Sequence, residues 1–145
     1  MKTIPSLLLF LFFINCSGTR PQDIGVRQGR LKPCPEKPNC VNSQTDIQDR
    51  IHFIEPVSYT LPLLDEQKRL KETVLGLPRT SLIKSETGYM HFEFTSLLMR
   101  YKDDVEFYLD DSVKLIHIRS ASRLGTSDMG VNRKRTEEIR TLLKK

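Results

Sequence analysis

The densest group of chemically capable side chains lies in IRSASRLGTSDMGVNRKR, which runs from Ile118 to Arg135. Arginines and hydroxyl residues alternate there with two glycines, and the segment leads from a predicted strand into a predicted helix. A helix N-terminus presents free amides, and guanidinium groups grip carboxylates or phosphates with paired hydrogen bonds. The pattern therefore predicts an anion-binding loop built from Arg119, Ser120, Ser122, Arg123, Thr126, Ser127, Arg133 and Arg135.

The same segment supports a structural alternative. Asp128 can occupy the start of the helix itself, and the acidic stretch DDVE, Asp103–Glu106, lies on a strand next to the arginines. Arg119 and Arg123 would then pair with these carboxylates and hold the loop to the sheet, because charge clusters arise for both reasons. No GxxxxGK[ST] phosphate loop is present. Both interpretations remain open at the level of sequence.

A second group of polar residues falls on one face of two predicted strands: His91, Glu93, Glu106 and Tyr108, with His117 on a third strand. It suggests either a general acid–base pair or a solvated sheet face, since antiparallel sheets often expose one side to water. No metal or cofactor is expected, because HExxH and GxGxxG motifs are missing from the sequence. A hydrolase or transferase that uses Glu106 or His91 as its base is the enzymatic alternative.

Cys16 ends an apolar run, Ile4–Ile14, that follows a positive start at Lys2. The run has the length of a signal-peptide core and is too short to span a membrane. Cys16 followed by small residues resembles a bacterial lipoprotein signal, in which cleavage precedes the cysteine and its thiol is acylated. Residues 1–15 are therefore predicted to be a lipoprotein signal peptide. The alternative is a plain secretory signal that is cut near Gly18.

Three cysteines occur in the chain, and an odd count in an exported protein leaves one thiol to be explained. Acylation of Cys16 would leave Cys34 and Cys40, which bracket a loop with two prolines. Export places them in an oxidising compartment, so the sequence predicts a disulfide. A redox or metal-binding pair is the alternative, although the spacing is not CxxC.

Charge and length define the class of protein. Only Lys2 among the 23 basic residues precedes Cys16, so the net charge falls from +5 to +4 on cleavage. This mild excess does not indicate nucleic-acid binding and suits an anionic membrane surface.

The sequence predicts a flexible tether over residues 16–32 and a single globular domain over residues 33–145. The expected location is the cell envelope, periplasmic or on the outer surface, with the membrane as a partner through the lipid.

The elements that would position the polar groups follow from periodicity. Apolar residues at helical spacing predict an amphipathic helix over Leu63–Leu75 and a second helix from Asp128 to Lys145. A strand is expected from Ile51 to a bend at Pro56. Strict alternation predicts a meander of antiparallel strands from residue 81 to about 120. The fold class is α+β, an antiparallel sheet of about four to five strands with two helices packed on one face.

Four segments carry a family resemblance: GRLKPCPEKPNCVNSQ, LPRT, EFTSLLMRYKDDVEFYLDD and IHIRSASRLGTSDMGVNRKRTEEIR. Together they resemble the domain-of-unknown-function family 1499, over about residues 25–140. The resemblance implies a bacterial exported protein or a plastid domain, and it brings no established activity. It also implies that Asn39, Asp104, both bridging cysteines and eight further residues are motif positions. Those eight are the candidate ligand-binding set: Glu106, Arg119, Ser120, Ser122, Arg123, Asp128, Asn132 and Arg133.

The preferred hypothesis is a non-enzymatic, lipid-anchored envelope protein. Its polar groove of arginine, aspartate and glutamate would bind a small anion, a lipid head group or a partner protein. The alternatives are the hydrolase or transferase described above and a purely structural envelope protein.

Overall fold

The computed structural model describes residues 18–145, so the predicted signal peptide and Cys16 lie outside the described residues. Six antiparallel strands form one sheet in the order β1-β6-β5-β4-β3, and β2 pairs with β6 beside β1. The elements are β1 Cys40–Asn42, β2 Val57–Ser58, α1 Leu63–Leu75, β3 Thr80–Glu86, β4 Tyr89–Thr95, β5 Lys102–Asp110, β6 Leu115–Ser122 and α2 Val131–Leu143. The α+β prediction is confirmed, with six strands instead of four to five.

Alternation along the three central strands gives the sheet two unlike faces. Phe92, Val105 and Ser120 lie side by side in the register of β4, β5 and β6. This row belongs to the face that packs against the helices. The neighbouring row contains His91, Glu106 and Arg119 and points the other way, because successive side chains of a strand project to opposite faces.

The two helices bury their apolar stripes on the first face. Leu70 and Val74 of α1 and Ile139 and Leu143 of α2 join the phenylalanines of the meander in one core cluster. The α1 prediction is confirmed at Leu63–Leu75. The second helix begins at Val131, three residues later than expected from Asp128.

The strand expected from Ile51 is not formed; only the two-residue β2 follows Pro56. The Asp49 carboxylate accepts backbone N–H bonds from Ile51 at 3.2 Å and His52 at 3.1 Å. Such local aspartate hydrogen bonds favour a turn over a strand. Among residues 18–145, no helix has both the length and the apolar character needed to cross a bilayer.

The N-terminal segment, defined here as residues 18–32, lies against the polar face of the sheet. Gly25 donates its N–H to Glu106 Oε1 at 2.8 Å, and Arg20 Nη2 donates to Glu93 Oε2 at 3.2 Å. Leu31 is buried. The sequence suggested a flexible tether over residues 16–32, but from residue 18 onward the segment is part of the folded body, because buried carboxylates of the sheet bind it.

The predicted disulfide between Cys34 and Cys40 is formed, with the two Cα atoms 5.6 Å apart. Its second cysteine starts β1, which pairs with the end of β6. The bridge therefore fixes the proline-containing loop at the edge of the sheet.

The first prediction concerns the core. Phe107 is fully buried and meets Phe92 edge-to-face, with ring centroids 5.7 Å apart. We expect Phe107→Ala to lower the free energy of unfolding by about 3–5 kcal/mol, through lost transfer energy and a residual cavity. Urea denaturation measures it, with Leu64→Ala as the control, since Leu64 is exposed. Equal effects of the two variants would contradict the assigned core.

Candidate functional site

A buried layer of charged side chains lies between the sheet and the N-terminal segment. We call it the polar network. It holds three carboxylates, four cations, one histidine and one tyrosine, which come from β4, β5, β6, the residue after β6, and the N-terminal segment. Its members are Glu93, Asp104, Glu106, Arg20, Lys102, Arg119, Arg123, His91 and Tyr89.

Arg123 forms the centre of one half of the network. Its Nε and Nη2 both donate to the Asp104 carboxylate at 2.8 Å, and Nη2 also donates to Glu93 Oε2 at 2.6 Å. Lys102 Nζ reaches the other oxygen of Glu93 at 2.6 Å. Arg20 adds the contact from the N-terminal segment. Two carboxylates are thus shared among three cations.

Glu106 forms the centre of the other half and is fully buried. Its Oε2 accepts from Arg119 Nη1 at 3.1 Å, and its Oε1 accepts from Tyr89 OH at 2.9 Å and from the Gly25 N–H at 2.8 Å. With three protein donors on its two oxygens and a fully buried side chain, this carboxylate is not open to a substrate. Arg119 Nε is buried and has no hydrogen-bond partner among the described residues.

His91 and Asp104 form the pair that most resembles catalytic machinery. His91 Nε2 lies 2.7 Å from Asp104 Oδ1, and both side chains are at most 5% exposed. A general base must reach a proton on its substrate. Nε2 of His91 is hydrogen-bonded to Asp104 and the ring is buried, so this pair has the geometry of a structural hydrogen bond inside the protein. Among residues 18–145, no three acidic, histidine or cysteine side chains are placed to share a metal ion.

The electrostatics favour the charged forms of Glu93, Asp104 and Arg123. Burial raises the pKa of Glu93, but hydrogen bonds from Lys102, Arg123 and Arg20 outweigh that effect and lower the pKa to about 2. Burial likewise raises the pKa of Asp104, and hydrogen bonds from Arg123 and His91 lower it below its ordinary value. The bond to Asp104 raises the pKa of Arg123. The ion pairs therefore persist at neutral pH.

Three of the predicted ligand-binding residues lie on the opposite face of the sheet. Asn132 of α2 accepts a short hydrogen bond from the Ser120 hydroxyl, and donates to Ser122 Oγ at 2.9 Å and to the Asn39 carbonyl at 3.0 Å. This cluster docks the first turn of α2 onto β6 and β1. Alternation along β6 separates it from Arg119 and Arg123, because serines at even positions and arginines at odd positions face opposite ways.

The last two predicted residues serve the helix and a neighbouring turn. The Asp128 carboxylate accepts the N–H of Asn132 at 2.6 Å and of Gly130 at 3.0 Å, and so caps the start of α2. Arg133 Nη2 donates to three backbone carbonyls at 2.9–3.2 Å, those of Arg50, Ile51 and Phe53. The predicted set is therefore split among three places. Glu106, Arg119 and Arg123 belong to the polar network, Ser120, Ser122 and Asn132 dock α2, and Asp128 and Arg133 serve the helix start and a turn.

Sequence reasoning missed Lys102, Tyr89 and Arg20 as network members. Lys102 is the first residue of β5 and lies at alternate positions with Asp104 and Glu106, so its side chain points to the same face. Tyr89 likewise lies at alternate positions with the network residues of β4, so its side chain points to the same face. Arg20 carries no local signal, because its partner Glu93 is 73 residues away.

The family model described as "Protein of unknown function (DUF1499)" matches residues 30–143. The match covers most of the chain, and the chain belongs to this family. No curated protein and no solved structure matches it.

A matched pair of variants tests the network. Glu93→Gln removes a carboxylate whose side chain is 9% exposed, whereas Glu86→Gln removes one that is 58% exposed and pairs with Lys84. We expect Glu93→Gln to cost about 3 kcal/mol of unfolding free energy, because buried Arg123 loses one of its two carboxylates and partly buried Lys102 loses its partner. Glu86→Gln should change little. Urea denaturation of both proteins measures the difference. Equal losses of unfolding free energy would show that the ion pairs of Glu93 stabilise the fold no more than an exposed pair does.

The pH dependence follows from the lowered pKa of Glu93. Its folded pKa of about 2 lies below its ordinary value of 4.5. The contribution to stability is thus complete above about pH 4.5 and is lost as the pH falls through about 2. We expect the difference in unfolding free energy between wild type and Glu93→Gln to shrink on acidification across that window. A constant difference would mean that Glu93 is not held ionised by the network.

Proposed function

We propose that this member of the DUF1499 family is a lipid-anchored cell-envelope protein that acts by binding at a membrane surface and not by catalysis. One observation carries the proposal. Cys34 and Cys40 pair with each other, which leaves Cys16 as the remaining thiol of the chain. Cys16 stands at the end of the apolar run, where a lipoprotein signal would be cleaved and acylated. The disulfide also suits an oxidising compartment outside the cytosol.

The contacts of the candidate bases support a non-enzymatic role. Glu106 is fully buried and accepts three hydrogen bonds, and His91 is buried against Asp104. A hydrolase or transferase that used either group would have to open the polar network and expose charges that are now paired. Breaking such buried pairs is costly.

The distribution of cations indicates the kind of ligand. Arg119 and Arg123 of the predicted groove already bind carboxylates inside the protein. Exposed cations at the surface remain for an external anion, and Arg79, Arg100 and Lys134 take part in no ion pair among residues 18–145. We therefore favour an anionic lipid head group over a small anion held in the interior.

Mass spectrometry of the native protein tests the proposal. The N-terminal peptide should begin at Cys16 and carry acyl chains, and Cys16→Ala should retain the signal sequence, because its processing depends on the thiol. Alkylation of the denatured, unreduced protein should label no cysteine of the mature chain. An unmodified soluble chain that begins after Cys16 would overturn the proposal.

A further inference from the structure

One end of the domain is unusually apolar for a surface. We define the apolar tip as the β4–β5 loop, residues 96–101, together with residues 123–131, which are the β6–α2 connection and the first residue of α2. It carries seven of the thirteen large apolar side chains that are exposed in residues 18–145. The seven are Leu97, Leu98, Met99, Tyr101, Leu124, Met129 and Val131. Contiguous exposed apolar side chains of this kind mark an interaction surface.

The two loops of the apolar tip form one surface. The Arg123 N–H donates to the Lys102 carbonyl at 3.1 Å and joins their bases. Leu97 from one loop and Val131 from the other line the same open cavity of about 370 Å³. The outermost side chains, Leu98 and Met129, are 86% and 97% exposed. These two side chains therefore project from the domain with little contact to its core.

The start of the described chain lies at this same tip. A Cβ placed on Gly18 would come within 3.0 Å of Arg123 Cβ and 3.1 Å of Leu124 Cγ. Cys16 precedes Gly18 by two residues in the sequence, and two residues of extended chain span at most about 7 Å. The Arg20–Glu93 contact holds the next residues against the sheet. An acyl group on Cys16 would consequently enter a bilayer beside the apolar tip.

Charge gives the domain a polarity along the same axis. Arg100 lies in the apolar tip and is exposed. Arg79 and Lys134 are also exposed and line its cavity, together with Arg135 and one carboxylate, Glu138. The hairpin turns at the other end of the sheet carry Glu86 and the pair Asp110–Asp111, and two of these carboxylates are paired there, Glu86 with Lys84 and Asp111 with Lys114. Basic residues near a bilayer are attracted to anionic lipids, and acidic residues are not.

We propose that the apolar tip inserts into the head-group region of the bilayer that holds the acyl anchor, with Arg79, Arg100 and Lys134 on anionic phospholipid. This inference rests on the proposed lipid anchor and adds a second contact and a fixed orientation to it. An exposed apolar surface with basic residues beside the acyl anchor adds its own membrane contact and fixes the orientation of the domain. The acidic turns then face away from the membrane.

The absence of tryptophan from the sequence allows a clean test. Leu98→Trp places an indole in the apolar tip, and Val113→Trp places one in the β5–β6 turn at the opposite end, where Val113 is 58% exposed. Each full-length variant is purified from the envelope in detergent and reconstituted in phosphatidylcholine–phosphatidylglycerol vesicles. Quenching by brominated phospholipid then reports contact with the acyl region. The N-terminal peptide of each preparation is checked for acylation.

We expect strong quenching and a blue-shifted emission for Leu98→Trp, and neither for Val113→Trp. An acylated protein with equal or absent quenching at both positions would overturn the orientation and leave the lipid anchor intact. A tip covered by a second copy would give no quenching and a concentration-dependent dimer, which also contradicts the inference. A preparation without acyl chains would refute the proposed function, and the inference would fail with it.

Discussion

The pairing of buried carboxylates on the sheet with cations above it is the interaction on which this structure depends. Glu93, Asp104 and Glu106 face away from the apolar core, yet each is less than 10% exposed. Charges so far from water require partners and hydrogen bonds. The required donors come from remote parts of the chain, since Arg20 and Gly25 lie 73 and 81 residues from the carboxylates they bind. The polar network thus makes the N-terminal segment part of the fold.

Such a network specifies an arrangement more than it adds stability, because the desolvation of buried ions offsets much of their attraction. The stability of the domain comes from the other face, where the meander phenylalanines pack on α1 and α2. What the network fixes is position. By holding Arg20 to Glu93 it keeps Gly18 beside Leu124. Gly18 and the apolar tip then lie at the same end of the domain.

The parts of the fold that the sequence predicted correctly are those with a local periodic pattern of apolar residues. The helical spacing of Leu63–Leu75 and the alternation of β3 to β6 are properties of contiguous residues, so they can be read without tertiary information. The short strand β1 was not predicted, because three residues are too few to show alternation and its partner strand β6 is distant in sequence. Within the candidate site, the alternation of side chains along β6 is enough to predict that Arg119 and Ser120 lie on opposite faces of the sheet. The role of the N-terminal segment was not readable, since its acidic partners are distant in sequence.

Amide hydrogen exchange of Gly25 tests the central claim most directly. The Gly25 N–H is donated to Glu106, which is fully buried, so opening this bond requires the N-terminal segment to leave the polar network. The account predicts protection of this amide that approaches the protection of the β5 amides, and its loss in Glu106→Gln. Exchange of Gly25 in the wild-type protein at the rate of an unstructured peptide would contradict the account, because residues 18–32 would then be a free tether.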